Sequence, residues 1–320
     1  MRAIRYDRYG PPEVLRSVHV PEPVAERGQV VVRVRAAGVH PVELHVRAGK
    51  LRRVLREPLP RGLGGDFTGV IEAVGDGVDP GRAGEEVWGV LPHLRVGSTA
   101  ERVAVPAHLV TPAPTTIGLT EAAALPAAGT TVLRALTEKV TIGAGTALLV
   151  RGAAGGVGVL AVQLGRALGA HVTALARAEH LGLVTALGAD LALDYRTTEP
   201  AGLGPFDVVL DLVGSGIGAY RRSLKPGGRL IALALDPDRL VRSVVSTLRP
   251  GIVTFTNDPG TAELDALARA VDDGLLRPVV ADVLPMAAAS RAHHRLAQGG
   301  VAGRIVLDPR ADLTPPGAEA

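Results

Sequence analysis

The chain reads as an α/β protein in which a β-rich region is followed by a doubly wound parallel sheet. Two observations predict that architecture. From residue 147 onward strands and helices alternate, with strands expected at 147–151, 171–176, 191–194, 207–212, 229–235 and near 252–256, and helices between them, such as Ala178–Leu187 before the Gly188 stop. This βαβα order fits a parallel sheet covered on both faces, because parallel neighbours need a crossover that a helix supplies. Ahead of it, Val30–Ala36, Val70–Gly75 and Glu86–Val90 are strand-like runs cut by turns such as Gly75-Asp76-Gly77 and Asp79-Pro80-Gly81.

The remaining elements follow in order. Met1–Asp7 is expected to be a charged strand rather than a signal peptide. Pro112, Pro114 and Pro126 bracket a change to helix, around Glu121–Ala124 and again near Thr130–Glu138. Ala262–Asp273 has apolar residues at helical spacing, while Val279-Val280, Val283-Leu284 and Arg304–Leu307 return to short strands. The tail Pro309–Ala320, rich in Pro, Ala and Gly, is expected to be disordered.

Composition narrows the function. At 320 residues there is length for two domains, each with its own core. Hydrophobic residues make up 47% but aromatics only 2%, so the core must rest on Ala, Val and Leu. The near-neutral balance of +3 and the scarcity of stacking rings argue against a nucleic-acid stripe. There is no cysteine, which removes disulfides, thiolate metal sites and cysteine nucleophiles together. No apolar run reaches the ~20 residues of a membrane span, and a cytoplasmic protein is expected.

The run Leu148-Leu149-Val150-Arg151-Gly152-Ala153-Ala154-Gly155-Gly156-Val157-Gly158 carries the chemistry. An apolar strand enters a glycine-rich turn that opens into a helix, and His171–Ala176 completes a βαβ unit. Small residues let backbone approach a pyrophosphate, and the helix start offers unpaired N–H groups and a favourable dipole. Ala153, Ala154, Gly155, Gly156, Val157 and Gly158 are therefore the expected dinucleotide turn. Gly155 is expected to allow close approach and Gly158 to let helix and strand pack, while Ala153 stands where the usual fingerprint begins with glycine.

The second strand ends Leu175-Ala176-Arg177, without the carboxylate that holds a ribose 2′-hydroxyl in NAD enzymes. Arg177 suits a 2′-phosphate instead, through charge-assisted bonds from its fork. NADPH is accordingly expected over NADH.

Several separated segments resemble the medium-chain dehydrogenase/reductase superfamily, nearest its zinc-independent quinone oxidoreductase branch, which includes zeta-crystallin. They are Ala36-Ala37-Gly38-Val39-His40-Pro41-Val42-Glu43, Gly64–Gly75, Leu125–Thr131, the glycine turn, Leu187-Gly188-Ala189-Asp190, Phe206–Asp211, Leu224–Arg229 and Gly303–Leu307, in the family's order. The resemblance implies a GroES-like catalytic domain at 1–117, a Rossmann cofactor domain at 118–256, a return to the catalytic domain at 257–308, an active cleft at their junction, and a homodimer. It also implies that His180 falls where the family carries a phosphate-binding lysine, that Tyr195 matches a tyrosine near the same phosphate, and that Thr131 matches a threonine beside the nicotinamide.

Zinc members of the superfamily place cysteine where His40 stands and a histidine-glutamate pair where Gly65-Asp66 stands, and the lobe for structural zinc has no room between Val90 and Ala100. His40, Glu43, His45 and Asp66 could form a nitrogen/oxygen set, but no metal is expected. Related quinone reductases carry asparagine at the His40 position and tyrosines at the His45 and Leu51 positions, none of which is kept. His40 and His45 are then the leading proton donors, since imidazole titrates near working pH. His293 and His294 are expected to be structural, and Asp207 and Asp211 to be strand-end residues. The function implied is hydride transfer from NADPH to a quinone or activated enone. The alternatives are an enoyl-thioester reductase of polyketide or fatty-acid type, and a cofactor-dependent redox sensor or RNA binder without turnover.

Overall fold

The structure, a computed structural model, describes residues 1–52, 58–92, 95–234 and 250–310. It divides into two units: Met1–Thr130 with Asp258–Asp273 and the chain from Pro278 onward, and Thr131–Asn257 with Gly274–Arg277.

The first unit is β-rich. Its strands are β1 (Arg2–Tyr6), β2 (Arg16–His19), β3 (Gln29–Gly38), β4 (Arg61–Gly62), β5 (Asp66–Val74), β6 (Glu86–Val90), β7 (Arg102–Pro106) and β8 (Val110–Pro112). Alternating valines explain β3, whose Val30, Val32 and Val34 are buried against Phe67, Ile71, Val87 and Val105. β3 pairs antiparallel with both β5 and β7, and β5 with β6. A three-stranded sheet runs β2-β1-β4.

The second unit holds β9 (Ala147–Arg151), β10 (His171–Ala176), β11 (Leu191–Asp194), β12 (Phe206–Asp211), β13 (Leu224–Ala232) and β14 (Ile252–Val253). They form one sheet in the order β11-β10-β9-β12-β13-β14, and every pair is parallel. Leu148, Leu149 and Val150 of β9 are fully buried, as a central parallel strand requires. Order reverses on either side of β9, so its carboxyl end is the crevice where such sheets take ligands. The strand expected at 229–235 begins earlier and its last residue lies outside the described residues, as do residues 311–320 of the expected disordered tail.

The chain then returns to the first unit. Helix Thr261–Asp272 is tied there by Asp272, whose carboxylate accepts from the Thr115 and Thr116 amides at 2.9 and 3.0 Å. β15 (Val280–Pro285) and β16 (Arg304–Asp308) pair parallel, and β16 joins β3 antiparallel. The first division falls inside the helix Pro126–Leu133, not at residue 117. The reason is local: Ala123 and Ala124 pack on Ala36 and Val306, and Thr68 Oγ1 donates to Leu119 O at 2.7 Å. No described helix is long and apolar enough to cross a membrane.

Candidate functional site

In the first unit, β3 ends at Gly38 and the chain turns through His40 into the helix Pro41–Arg47. His40 starts the helix, with Pro41 at its first position, where a missing N–H costs nothing. Glu43 reaches back, its Oε2 accepting from the His40 amide at 3.2 Å and its Oε1 from Gly64 N–H at 3.1 Å.

The His40 ring lies between two buried charges. Nε2 is 2.8 Å from Asp66 Oδ1, and Arg304 Nη1 is 2.9 Å from Nδ1 and 3.2 Å from Nε2. Asp66 is fully buried and Arg304 nearly so. Asp66 Oδ2 accepts from the Ala127 amide at 3.1 Å. Burial raises the Asp66 carboxyl, but His40, Arg304 and the Ala127 N–H outweigh it and hold the group below its ordinary range. Gly38 makes this approach possible: a Cβ there would stand 2.8 Å from Asp66 Oδ1 and 3.2 Å from Arg304 Cδ.

This arrangement does not fit a bound metal. The guanidinium lies within hydrogen-bond distance of both His40 nitrogens, so a permanent cation sits where a second cation would seek its ligands. Among the described residues no group of three His, Cys, Asp or Glu side chains could hold an ion.

His45 lies half-buried further along the same helix. Behind the helix, burial raises the Glu43 carboxyl despite the pull of His40. His293, fully buried with neither ring nitrogen hydrogen-bonded, has Nε2 3.8 Å from Glu43 Oε2. Burial, aided by Arg47 and His294, pushes His293 down to about 3. His294 pairs at the surface with Glu13. A cavity of about 460 Å³ elsewhere in this unit, lined by residues such as Ile4, Val20, Leu91 and Val103, includes none of these groups.

The second unit carries the glycine turn. β9 ends at Arg151, Gly152 takes φ +82°, and the helix Gly158–Ala167 follows. A Cβ on Gly158 would lie 2.2 Å from Gly152 O, so only glycine lets the helix start this close to the turn. Gly155 is less confined, with its nearest atom at 3.4 Å. The Gly152 and Ala153 amides both donate to Leu175 O, at 3.1 and 3.0 Å, which locks the turn to β10. Ala153 is fully buried and Ala154 nearly so, so these two contribute backbone rather than side chain. The amides of Gly156, Val157 and Gly158 make no backbone hydrogen bond among the described residues.

Next to the turn, Arg151 donates to Asp211 Oδ1 at 3.0 Å and lies 4.2 Å over the Tyr220 ring. Asp211, raised by burial against the pull of Arg151, also accepts from the Val213 and Gly214 amides. It therefore shapes the loop after β12. Asp207 is bound by Lys225 at 2.7 Å and by the Ala147 amide.

Past β10, Arg177 caps a short 3-10 turn, Ala178–His180, and is partly exposed. Tyr195 N–H donates to Ala176 O, so the residues after β11 flank those after β10. Arg196 stacks 6.0 Å from the Tyr195 ring centre. Sequence reading found no carboxylate at the strand end, yet Glu179 brings one, with Oε1 3.6 Å from Arg177 Nη1. Its own backbone amide, then Arg196, His180 and Arg177, hold the Glu179 carboxyl low against slight desolvation. Thr131, half-buried, lies within the helix Pro126–Leu133 rather than at its start. Arg304 and Glu179 were missed by sequence reasoning; no local spacing marks either.

Two family models match: the alcohol dehydrogenase GroES-like domain over residues 26–115, and zinc-binding dehydrogenase over 187–307. The chain is 31% identical to the chloroplast envelope quinone oxidoreductase homolog of Arabidopsis thaliana, covering 97% of this chain and 98% of the relative. Its fold matches the quinone oxidoreductase of Coxiella burnetii with a TM-score of 0.87 at 30% identity, over 97% and 99% of the two chains. A mycobacterial protein complexed with NADPH matches at 0.83 and 28% identity, over 97% and 100%.

Proposed function

Because this chain belongs to the medium-chain dehydrogenase/reductase superfamily and has quinone oxidoreductases as full-length relatives, we propose that it is an NADPH-dependent, zinc-independent reductase of quinones or activated enones. That the chain is an oxidoreductase using a nicotinamide cofactor rests on the family; the rest is this reading.

One observation carries it. Three amides with no backbone acceptor among the described residues, those of Gly156, Val157 and Gly158, stand in a row at a helix start, one strand away from Arg177 and Arg196. Such amides are donors in search of an anion, and a pyrophosphate fits their spacing and the helix dipole. In this reading Ala153 and Ala154 form the floor of the turn and Gly155 leaves space for phosphate oxygens. Arg177, His180, Tyr195 and Arg196 receive the 2′-phosphate, and Thr131 receives the nicotinamide end.

A reduced nicotinamide supplies the hydride when bound. The chain's task is to orient it, exclude water and provide a proton for the developing anion. His40 is poorly free to give one, since both its nitrogens are held by the Asp66–Arg304 pair. We therefore assign His40 to holding that pair, and His45 to proton donation. The active form in this reading is a homodimer, checked by sedimentation.

Fluorescence titration with NADPH and NADH tests the cofactor. Arg177→Gln is expected to weaken NADPH by at least ~10-fold, the scale of one lost charge-assisted bond, with NADH nearly unaffected. Equal losses for both nucleotides sink the assignment. Stopped-flow oxidation of NADPH by a quinone panel beside crotonyl thioesters tests the acceptor, and faster turnover of the thioesters would reassign it.

A further inference from the structure

Glu179 stands among the basic groups that follow β10. Its Oε1 is 3.6 Å from Arg177 Nη1, and its side chain is about half exposed. The charges of Arg196 and His180 also act on the same carboxylate and help hold it low. Arg177 itself is partly buried and closes the end of β10 as the first residue of the turn that carries Glu179. The pair is thus built into a single turn.

An anion arriving at Arg177 meets this carboxylate. A 2′-phosphate must take the guanidinium from Glu179 and then lie beside a like charge. A ribose 2′-hydroxyl carries no charge and can donate to the same carboxylate. One side chain therefore works against one nucleotide and in favour of the other, although the strand end itself has the arginine of an NADP site.

We propose that Glu179 is a specificity-determining residue that holds the preference for NADPH over NADH below what Arg177 and Arg196 alone would give, so that the site accepts both nucleotides. This rests on the dinucleotide reading of the turn above. The carboxylate competes for Arg177 when a 2′-phosphate binds, and accepts the hydroxyl proton when NADH binds. Its effect weakens with salt, because the side chain is in contact with solvent.

The test compares wild type, Glu179→Gln and Arg177→Gln by fluorescence titration with NADPH and NADH at low and high salt. Adenosine 2′,5′-bisphosphate serves as a probe of the phosphate end alone. Glu179→Gln is expected to tighten NADPH and the bisphosphate by roughly three- to fivefold, the upper range of an exposed charge pair, and to leave NADH unchanged or weaker. High salt should shrink that shift. If the ratio of the two dissociation constants moves less than about twofold, or the other way, while Arg177→Gln still weakens NADPH selectively, the proposal falls and the dinucleotide reading stands. If Arg177→Gln has no selective effect, or neither nucleotide binds wild type, both fall.

Discussion

Arg304 reaches from β16 to His40, 264 positions away in sequence, and its Nη1 lies 2.9 Å from the ring's Nδ1. The same Nη1 lies 3.2 Å from Nε2, whose other neighbour is Asp66 Oδ1 at 2.8 Å, so both ring nitrogens are engaged by the pair. Asp66 Oδ2 is itself 3.9 Å from Arg304, so charge and hydrogen bonds close on one another in a nearly dry place. His40 thus bridges the two buried charges like a strut.

Removing the strut's cation should be costly. Arg304→Met leaves the fully buried Asp66 carboxylate with His40 and one amide and without its permanent cation, and the expected loss is about 3–5 kcal/mol. His40→Asn, which keeps a donor toward Asp66, should cost only ~1–2 kcal/mol. Urea unfolding at pH 7 measures both. A loss below ~1 kcal/mol for Arg304→Met means the pair does not hold this part of the unit.

The contrast with what the sequence made legible is instructive. β9, β10 and β11 run over the residues expected, because valine and leucine runs bounded by glycine leave little choice of register. The turn at 152–158 was equally visible, since its constraint is local. The Gly38–Asp66–Arg304 contact was not, because it joins three strands whose pairing no periodicity announces. Glu179 escaped for a different reason. It lies three residues past the end of β10, and only the tightness of the 3-10 turn brings it back to Arg177. The first domain division moved for the same kind of reason: Ala122–Ala124 have no polarity pattern that says which sheet they cover.

His293 predicts a pH dependence of stability. Its folded value of about 3 lies below the ~6.5 of an unfolded histidine, so the unfolded chain takes up a proton first as pH falls. Stability is therefore full above pH ~6.5 and is drawn down as pH falls from there toward 3. At ~1.4 kcal/mol per unit, roughly 2 kcal/mol should be lost between pH 7 and pH 5. His293→Leu removes this contribution. Since neither ring nitrogen is hydrogen-bonded, it should also cost less than ~1.5 kcal/mol at pH 7. Equal acid slopes for wild type and variant in urea unfolding would refute the assignment.

The glycine turn offers a pair of substitutions with opposite signatures. At Gly158 a methyl group would lie 2.2 Å from Gly152 O and 2.7 Å from the Ala153 backbone, atoms that no rotamer change can move. Gly158→Ala should therefore lower stability by at least ~2 kcal/mol and, if the displaced amides serve the shared pyrophosphate, weaken both nucleotides together. At Gly155 the nearest atom is 3.4 Å away, so Gly155→Ala should cost less than ~1 kcal/mol in stability. If phosphate oxygens approach that backbone, the same methyl should still weaken NADPH and NADH alike by ~10-fold or more. Thermal unfolding with parallel fluorescence titrations separates the two effects. A Gly155→Ala protein that binds both nucleotides at wild-type strength would move the pyrophosphate away from this turn, whatever its stability.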